Sequence, residues 1–405
     1  MKTAAEPIHI VRGEGALLFD KQGKKYIDAI SSWWTNLHGH ADPYIAQKIF
    51  EQAQQLEHVI FAGFTHTPAQ ELAQRLAEDH LPRNISKIFY SDNGSTSVEV
   101  AIKMAIQYWQ NIGKPKKKII AFEHAYHGDT FGSMSVSERG AFTKPFHDYL
   151  FEVEFITPPF AGKDNKSVEQ FKKIIAENNV AAFIYEPLVM GAGGMLMYEA
   201  AALNNLLVVA KENNIICIAD EVMTGFYRTG KMFASDYCEL KPDIMCLSKG
   251  LTGGTMALGI TACAQFIYEA FYHDDKMKAF YHGHSFTANP LSCAAALASL
   301  DLIEKDTCKE NIERIVKSHQ EFTQQLKQID KIENIRQTGT ILAFDIKTNA
   351  HTDYFNLIKD KLYTYFIENG VLLRPLGNTV YMMPPYCITH EQLSYTYETI
   401  CLFDI

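Results

Sequence analysis

Five short apolar runs constrain the fold more than any other feature of the sequence. They are Ile88-Phe89-Tyr90, Lys118-Ile119-Ile120-Ala121-Phe122, Ala182-Phe183-Ile184-Tyr185, Ile215-Ile216-Cys217-Ile218 and Ile244-Met245-Cys246-Leu247. Each is rich in β-branched or aromatic residues, and helical stretches separate them. Strands that are apolar on both sides belong to a parallel sheet covered by helices on both faces. An α/β domain with a mostly parallel central sheet is therefore expected. In such a sheet, ligands bind just beyond the carboxyl ends of the strands. The residues that end each run are where chemistry is to be sought.

The flanks read differently. Leu17–Asp20 and Lys25–Ile30 predict a β-hairpin turning at Gln22-Gly23. The last hundred residues predict a charged helix over about 308–328, a strand near 339–346 and a helix near 353–369. Short strands at 371–373 and 380–382 follow, and Thr389 with Gln392 opens a closing helix as a capping box. A small α+β domain built from both chain ends is expected, with residues 1–43 as its N-terminal segment and 306–405 as its C-terminal part. Residues 44–305 are expected to form the large, cofactor-binding domain. At 405 residues, two domains suit the limit on a single core.

Composition narrows the function. The net charge is -9 and no basic stripe stands out, so no nucleic-acid partner is expected. The run Lys114–Lys118 reads as a solvated connection. Eight cysteines are scattered without a C-x-x-C pair, which fits buried thiols in a reducing compartment. No apolar stretch is long enough to span a bilayer and the first residues lack an apolar signal core, so a soluble cytoplasmic protein is expected.

Three strand endings carry chemical potential. Ser91-Asp92-Asn93-Gly94-Ser95-Thr96 opens a helix, offering either free N–H groups for a phosphate or an ordinary cap. Asp220-Glu221 places carboxylates at a buried strand end, which need a cation: a protonated pyridine nitrogen, or a basic side chain. Ser248-Lys249-Gly250 precedes a glycine-rich turn, where burial could make the amine a nucleophile; a surface lysine is the plain alternative. Phosphate cradle, acid and lysine together match the three anchors of pyridoxal phosphate (PLP). His38-Gly39-His40, His124 with His127, and His282-Gly283-His284 invite a metal reading. No cysteine or acid completes a zinc set nearby, so no metal is expected and these histidines read as hydrogen-bonding loop residues.

Further stretches carry a resemblance: Ser31-Ser32-Trp33-Trp34, Tyr126-His127-Gly128-Asp129-Thr130, Gly191-Ala192-Gly193-Gly194-Met195, Asp220-Glu221-Val222 with Thr224-Gly225-Phe226, Arg374-Pro375-Leu376-Gly377, and Tyr381-Met382-Met383-Pro384-Pro385-Tyr386. With them the chain resembles the class III aminotransferases over essentially its whole length. The resemblance implies the PLP-dependent transferase fold type I, PLP as cofactor, small-molecule substrates, and a homodimer with its active site at the interface. It is greatest to members of the biotin pathway, which aminate 8-amino-7-oxononanoate with S-adenosylmethionine as donor. Lysine as donor, or another ω-amino acid or diamine aminotransferase, are the near alternatives. A binding protein on the same scaffold is the distant one.

Carried over residue by residue, the resemblance gives Lys249, Asp220 and Tyr126 the catalytic roles: cofactor attachment, pairing with the pyridine nitrogen, and stacking on the ring. Gly94 and Ser95 hold the phosphate, completed by Ser285 from the neighbouring subunit. Trp33, Trp34, Asp129, Arg228, Gly283, Arg374 and Tyr381 bind substrate, with Arg374 as carboxylate clamp. Two departures stand out. Family members carry an earlier His-Pro-Tyr-Thr segment whose tyrosine reaches the substrate, and this chain starts at Met1 where that segment would end. A truncated or misassigned start, or a substitute aromatic, is expected. The usual His-Gly-Pro-Thr is here His282-Gly283-His284-Ser285, leaving the choice of donor open.

Overall fold

The computed structural model describes residues 6–177, 179–348 and 356–403. The chain divides into two compact units, Lys48–Asp301 and the combination of Met1–Gln47 with Leu302–Ile405.

The larger unit is built on a seven-stranded sheet. Its order is Ile85–Ser91, Gly259–Ala264, Ile244–Leu247, Ile216–Asp220, Val180–Tyr185, Lys118–Phe122, Glu154–Ile156. All five runs read from the sequence are in it. Ile216–Asp220 is parallel to both neighbours, and the parallel set continues to Glu154–Ile156. Gly259–Ala264 is the exception, antiparallel to the strands on either side. Ile85–Ser91, reached through it, therefore points the same way as the other five. Six strands thus deliver their carboxyl ends to one edge.

Burial explains why these residues are strands. Every residue of Val180–Tyr185, Ile216–Asp220 and Ile244–Leu247 is buried. The Gly94–Asn111 helix packs on the sheet through Val98, Ala101, Ile102, Ala105 and Trp109, whose indole N–H donates to the Ala181 carbonyl at 2.8 Å. Ile106 of the same helix is 39% exposed.

In the smaller unit the expected hairpin forms from Leu17–Asp20 and Lys25–Asp28, with Ile10–Glu14 added on its outer edge and Val371–Leu372 joining parallel on the other. A second sheet pairs Ile341–Ile346 with Ile332–Thr338 and Thr379–Met382. Its longer helices include Asp306–Leu326, Ile358–Glu368 and His390–Cys401; residues 353–355 of the expected middle helix lie outside the described residues. Thr389 and Gln392 form the reciprocal capping box.

One buried histidine gives this unit a pH signature. His319 is fully buried, with Nδ1 2.7 Å from the Tyr397 hydroxyl and Nε2 3.2 Å from the Thr340 carbonyl. A carbonyl only accepts, so Nε2 carries the hydrogen and Nδ1 accepts from Tyr397. Burial pushes the ring down to about 4, below its unfolded value of 6.5. The unfolded chain then binds the proton first. Stability from this group is complete above pH 6.5 and declines as pH falls toward 4. Urea denaturation between pH 7 and 5 should show that decline in the parent protein and a shallower one in His319→Gln; parallel profiles would contradict it.

All eight cysteines are free. Among the described residues, no helix is long and apolar enough to cross a membrane, and no group of three or more His, Cys, Asp or Glu side chains could hold a metal ion.

Candidate functional site

The strand ends converge in the larger unit. Ile216–Asp220 and Ile244–Leu247 are adjacent and parallel, with Asp220 opposite Cys246. Lys249 follows three residues later. Asp220 is 5% exposed, and its Oδ2 lies 2.7 Å from His127 Nδ1, while Oδ1 accepts the Val222 N–H at 3.1 Å. A buried carboxylate is tolerable only with such partners. The His127 side chain is wholly enclosed and, among the described residues, its Nε2 has no hydrogen-bond partner. With nothing to hold a hydrogen at Nε2, the ring's hydrogen sits on Nδ1, which donates it to the Asp220 carboxylate.

Glu221 goes elsewhere. Its carboxylate accepts from the Thr224 hydroxyl at 2.5 Å, the Ala234 N–H at 3.1 Å and the Ser235 N–H at 2.7 Å. It braces the 224–235 turn, and burial pushes its acid up to about 7. The two neighbouring carboxylates thus have different work.

Lys249 opens a short helical turn with φ +46°, in the left-handed region. Such a backbone costs a side-chain-bearing residue energy and is characteristic of functional sites. Burial lowers the pKa of its ammonium; Asp220 and Glu186 oppose that shift, and the fully buried Arg228 reinforces it. The net direction is toward the neutral amine.

The third anchor is the start of the Gly94–Asn111 helix. Asn93 caps it, and the box with Thr96 satisfies the Asn93 and Thr96 N–H groups. The N–H groups of Gly94 and Ser95 are left for an anion, at the positive end of the helix dipole. The Ser95 hydroxyl accepts the Asp129 N–H at 3.2 Å. Gly128 makes that approach possible, since a Cβ there would sit 2.1 Å from Ser95 Oγ and its φ is +129°.

Tyr126 and Asp129 are joined, the phenol donating to Asp129 Oδ2 at 2.8 Å, and burial raises the phenol's pKa. Glu99 grips the same loop from the helix, accepting from the Thr130 hydroxyl at 2.5 Å and the Gly132 N–H at 2.6 Å. The paired histidines of that loop part company: His124 faces Glu138 at 3.0 Å and His127 faces Asp220. Lys249, Asp220, Tyr126, Asp129, Gly94, Ser95 and Arg228 all lie in the larger unit. Gly283 and Ser285 do too, but both are exposed, and among the described residues no hydrogen bond joins either to this cluster within the chain.

The smaller unit gathers the other expected residues. The Arg374 guanidinium lies over the Trp33 ring at 4.8 Å, Trp33 and Trp34 are 6.4 Å apart, and the Trp34 indole donates to the Tyr381 hydroxyl at 2.9 Å. Ser31, Ser32 and Trp34 all have positive φ, held by Asp28, which accepts the Ser32 N–H at 2.7 Å. Trp33 is left 53% exposed beside a cation suited to bidentate capture of a carboxylate.

Sequence reading missed His127 as the partner of Asp220, and it missed Glu186. The latter is buried, directly follows the Val180–Tyr185 strand, and accepts the Tyr126 N–H at 3.0 Å and the Gly191 N–H at 2.9 Å. The strand-end rule that found Asp220 would have found it.

A carboxylate, an amine biased toward neutrality and two free N–H groups at a helix start suit a phosphorylated pyridine aldehyde, group for group. Comparison with known proteins agrees. The model of the family aminotransferase class-III matches residues 1–402. The chain is 46% identical to the adenosylmethionine-8-amino-7-oxononanoate aminotransferase of Synechococcus elongatus, covering 99% of this chain and 95% of that one. It superposes on the crystal structure of the enzyme of that name from Methanocaldococcus jannaschii with a TM-score of 0.93 at 36% identity, covering 99% and 94%. An amine transaminase from an uncultivated Pseudomonas species, in PLP-bound form, gives 0.91 at 28% identity, covering 98% and 95%.

Proposed function

The chain belongs to the class III aminotransferases, and from that membership we propose that it uses PLP to move an amino group from S-adenosylmethionine to 8-amino-7-oxononanoate. The observation that carries the reading is Asp220 and Lys249 at the ends of adjacent parallel strands, with His127 hydrogen-bonded to Asp220. Likeness to relatives named for this donor and acceptor supports the substrates. The eight free cysteines favour a reducing, cytoplasmic setting.

When bound, PLP supplies an electron sink for the charge left as a proton leaves the carbon bearing the donor's amine. The protein's part is to bind, hold and move protons. The Gly94 and Ser95 N–H groups would take the phosphate. Asp220, fixed by His127 and the Val222 N–H, would face the ring nitrogen and favour its protonated form. Tyr126, tied to Asp129, would cover the ring. Lys249 Nζ, biased toward the neutral amine, is both attachment point and proton carrier. We assign the acceptor's carboxylate to Arg374, beside Trp33 and with Trp34 and Tyr381. A twofold dimer, in which Ser285 and Gly283 serve the neighbouring subunit, fits their exposure and lack of partners in the cluster.

Incubating the protein with PLP, S-adenosylmethionine and 8-amino-7-oxononanoate should yield 7,8-diaminononanoate by mass spectrometry. Product with lysine alone would keep the acceptor and change the donor; amination of ω-amino acids or diamines only would overturn the substrate assignment. Arg374→Ala should raise KM for the oxononanoate by about 10- to 100-fold, the range of a lost charged hydrogen bond, with a smaller change in kcat. An unchanged KM would remove Arg374 from that role.

A further inference from the structure

Glu186 is a buried carboxyl group at this edge of the sheet that the mechanism leaves without a role. It is 5% exposed, and its two carboxylate oxygens reach two different segments: Oε1 accepts the Tyr126 N–H at 3.0 Å and Oε2 the Gly191 N–H at 2.9 Å. Those segments press on one another, since a Cβ on Gly193 would sit 2.5 Å from the His124 carbonyl oxygen. The Glu186 carbonyl is held as well, accepting the Tyr198 hydroxyl at 2.5 Å. Both ends of the residue are thus fixed.

Its charge is harder to explain by architecture. Two backbone N–H groups can be satisfied by carbonyl oxygens, without burying an acid. Moreover this acid sits in the field of Asp220, a like charge, with His127 opposing. No salt bridge to Glu186 occurs among the described residues. Burial pushes its acid up to about 7, and the His127 ring and the two N–H groups restrain the rise that Asp220 adds to. Tyr185 pairs with Ala219 across parallel strands, so Glu186 and Asp220 follow at neighbouring positions; a second buried carboxylate there is costly, and such cost marks functional sites. The group that gains is Lys249, which feels Asp220 and Glu186 as its negative neighbours and Arg228 as its positive one. The Tyr126 phenol, bonded to Asp129, also lies in the field of Glu186 and Asp220.

We propose that Glu186 is a positioning residue of this site, fixing the Tyr126 peptide against the Gly191 turn and supplying part of the negative charge that faces Lys249. The inference rests on the PLP reading, and deepens it. Its geometric half concerns the protein alone.

Two variants separate charge from geometry. Glu186→Gln keeps the shape but removes the charge and places an NH2 against one N–H donor. Glu186→Asp keeps the charge and shortens the reach by one methylene. In the PLP-loaded protein, the pH midpoint of the cofactor's visible band should move down by about one unit in Glu186→Gln, because a stabilising anion has gone. It should stay near the parent value in Glu186→Asp. In protein stripped of cofactor, the Tyr126 and Gly191 amides should exchange hydrogen at least about tenfold faster in Glu186→Asp, a factor expected from loss of about one hydrogen bond. A purely architectural role would leave the midpoint unmoved in Glu186→Gln, and that result overturns the proposal. So does unchanged amide protection in Glu186→Asp. If the parent protein forms no visible band at all, the PLP reading itself fails, while the exchange experiment still judges the geometry.

Discussion

Lys249→Ala keeps its fold and loses both half-reactions, with turnover falling by at least about 10⁴-fold, the upper range for loss of a positioned acid–base group. The loss is large because one amine has two tasks. It holds the cofactor covalently and it carries the proton between carbon atoms, so no remaining group takes over either. The fold survives for a local reason. Lys249 already adopts φ +46°, and alanine meets the same Cβ penalty there that lysine does. Burial of an alanine at this strand end leaves no charge to satisfy. Circular dichroism should match the parent while donor-dependent product is lost. Turnover within tenfold of the parent would remove Lys249 from the chemistry.

Asp220→Asn gives the second large effect, a fall in kcat of about 10²- to 10⁴-fold with the protein intact. The carboxylate now accepts from His127 Nδ1 and from the Val222 N–H. Asparagine has one oxygen for those two donors, so its NH2 must face one of them or turn the His127 tautomer round. More costly is the lost charge, without which a proton on the ring nitrogen is no longer favoured. The isostere preserves volume, so a stability change much larger than that in Glu221→Gln is not expected. Steady-state kinetics decide the matter, and a loss smaller than tenfold would mean that the ring nitrogen depends on another group.

The parts of the fold that could be read from the sequence were those set by local pattern. Val180–Tyr185 and Ile244–Leu247 are apolar without interruption because helices cover both faces, and that shows in a single window. Gly259–Ala264 carries no such pattern. Its Gly-Ile-Thr-Ala-Cys-Ala runs on from a glycine-rich turn and is mostly small residues, and its antiparallel direction is a property of the sheet. Glu154–Ile156 and Ile10–Glu14 are short or exposed edge strands, which lack a buried pattern to read. Ile332–Thr338 carries Glu, Asn, Arg and Gln among its seven residues for the same reason.

The site divides in the same way. Asp220, Lys249, Gly94 and Ser95 stand at strand ends or a helix start, so position alone marks them. The partnership of His127 with Asp220 spans 93 residues and that of Glu186 with Tyr126 spans 60. No spacing rule reaches that far. Nor could the sequence tell Asp220 from Glu221 by environment. That difference comes from the 224–235 turn folding back to donate three hydrogen bonds to one of them.

The central claim is that Lys249 carries the cofactor, and reductive trapping tests it most directly. The PLP-loaded protein is treated with borohydride, digested and mapped by mass spectrometry. The account predicts a phosphopyridoxyl group on the peptide containing Lys249 and on no other lysine. An adduct on a different lysine, or none after loading with PLP, would contradict it.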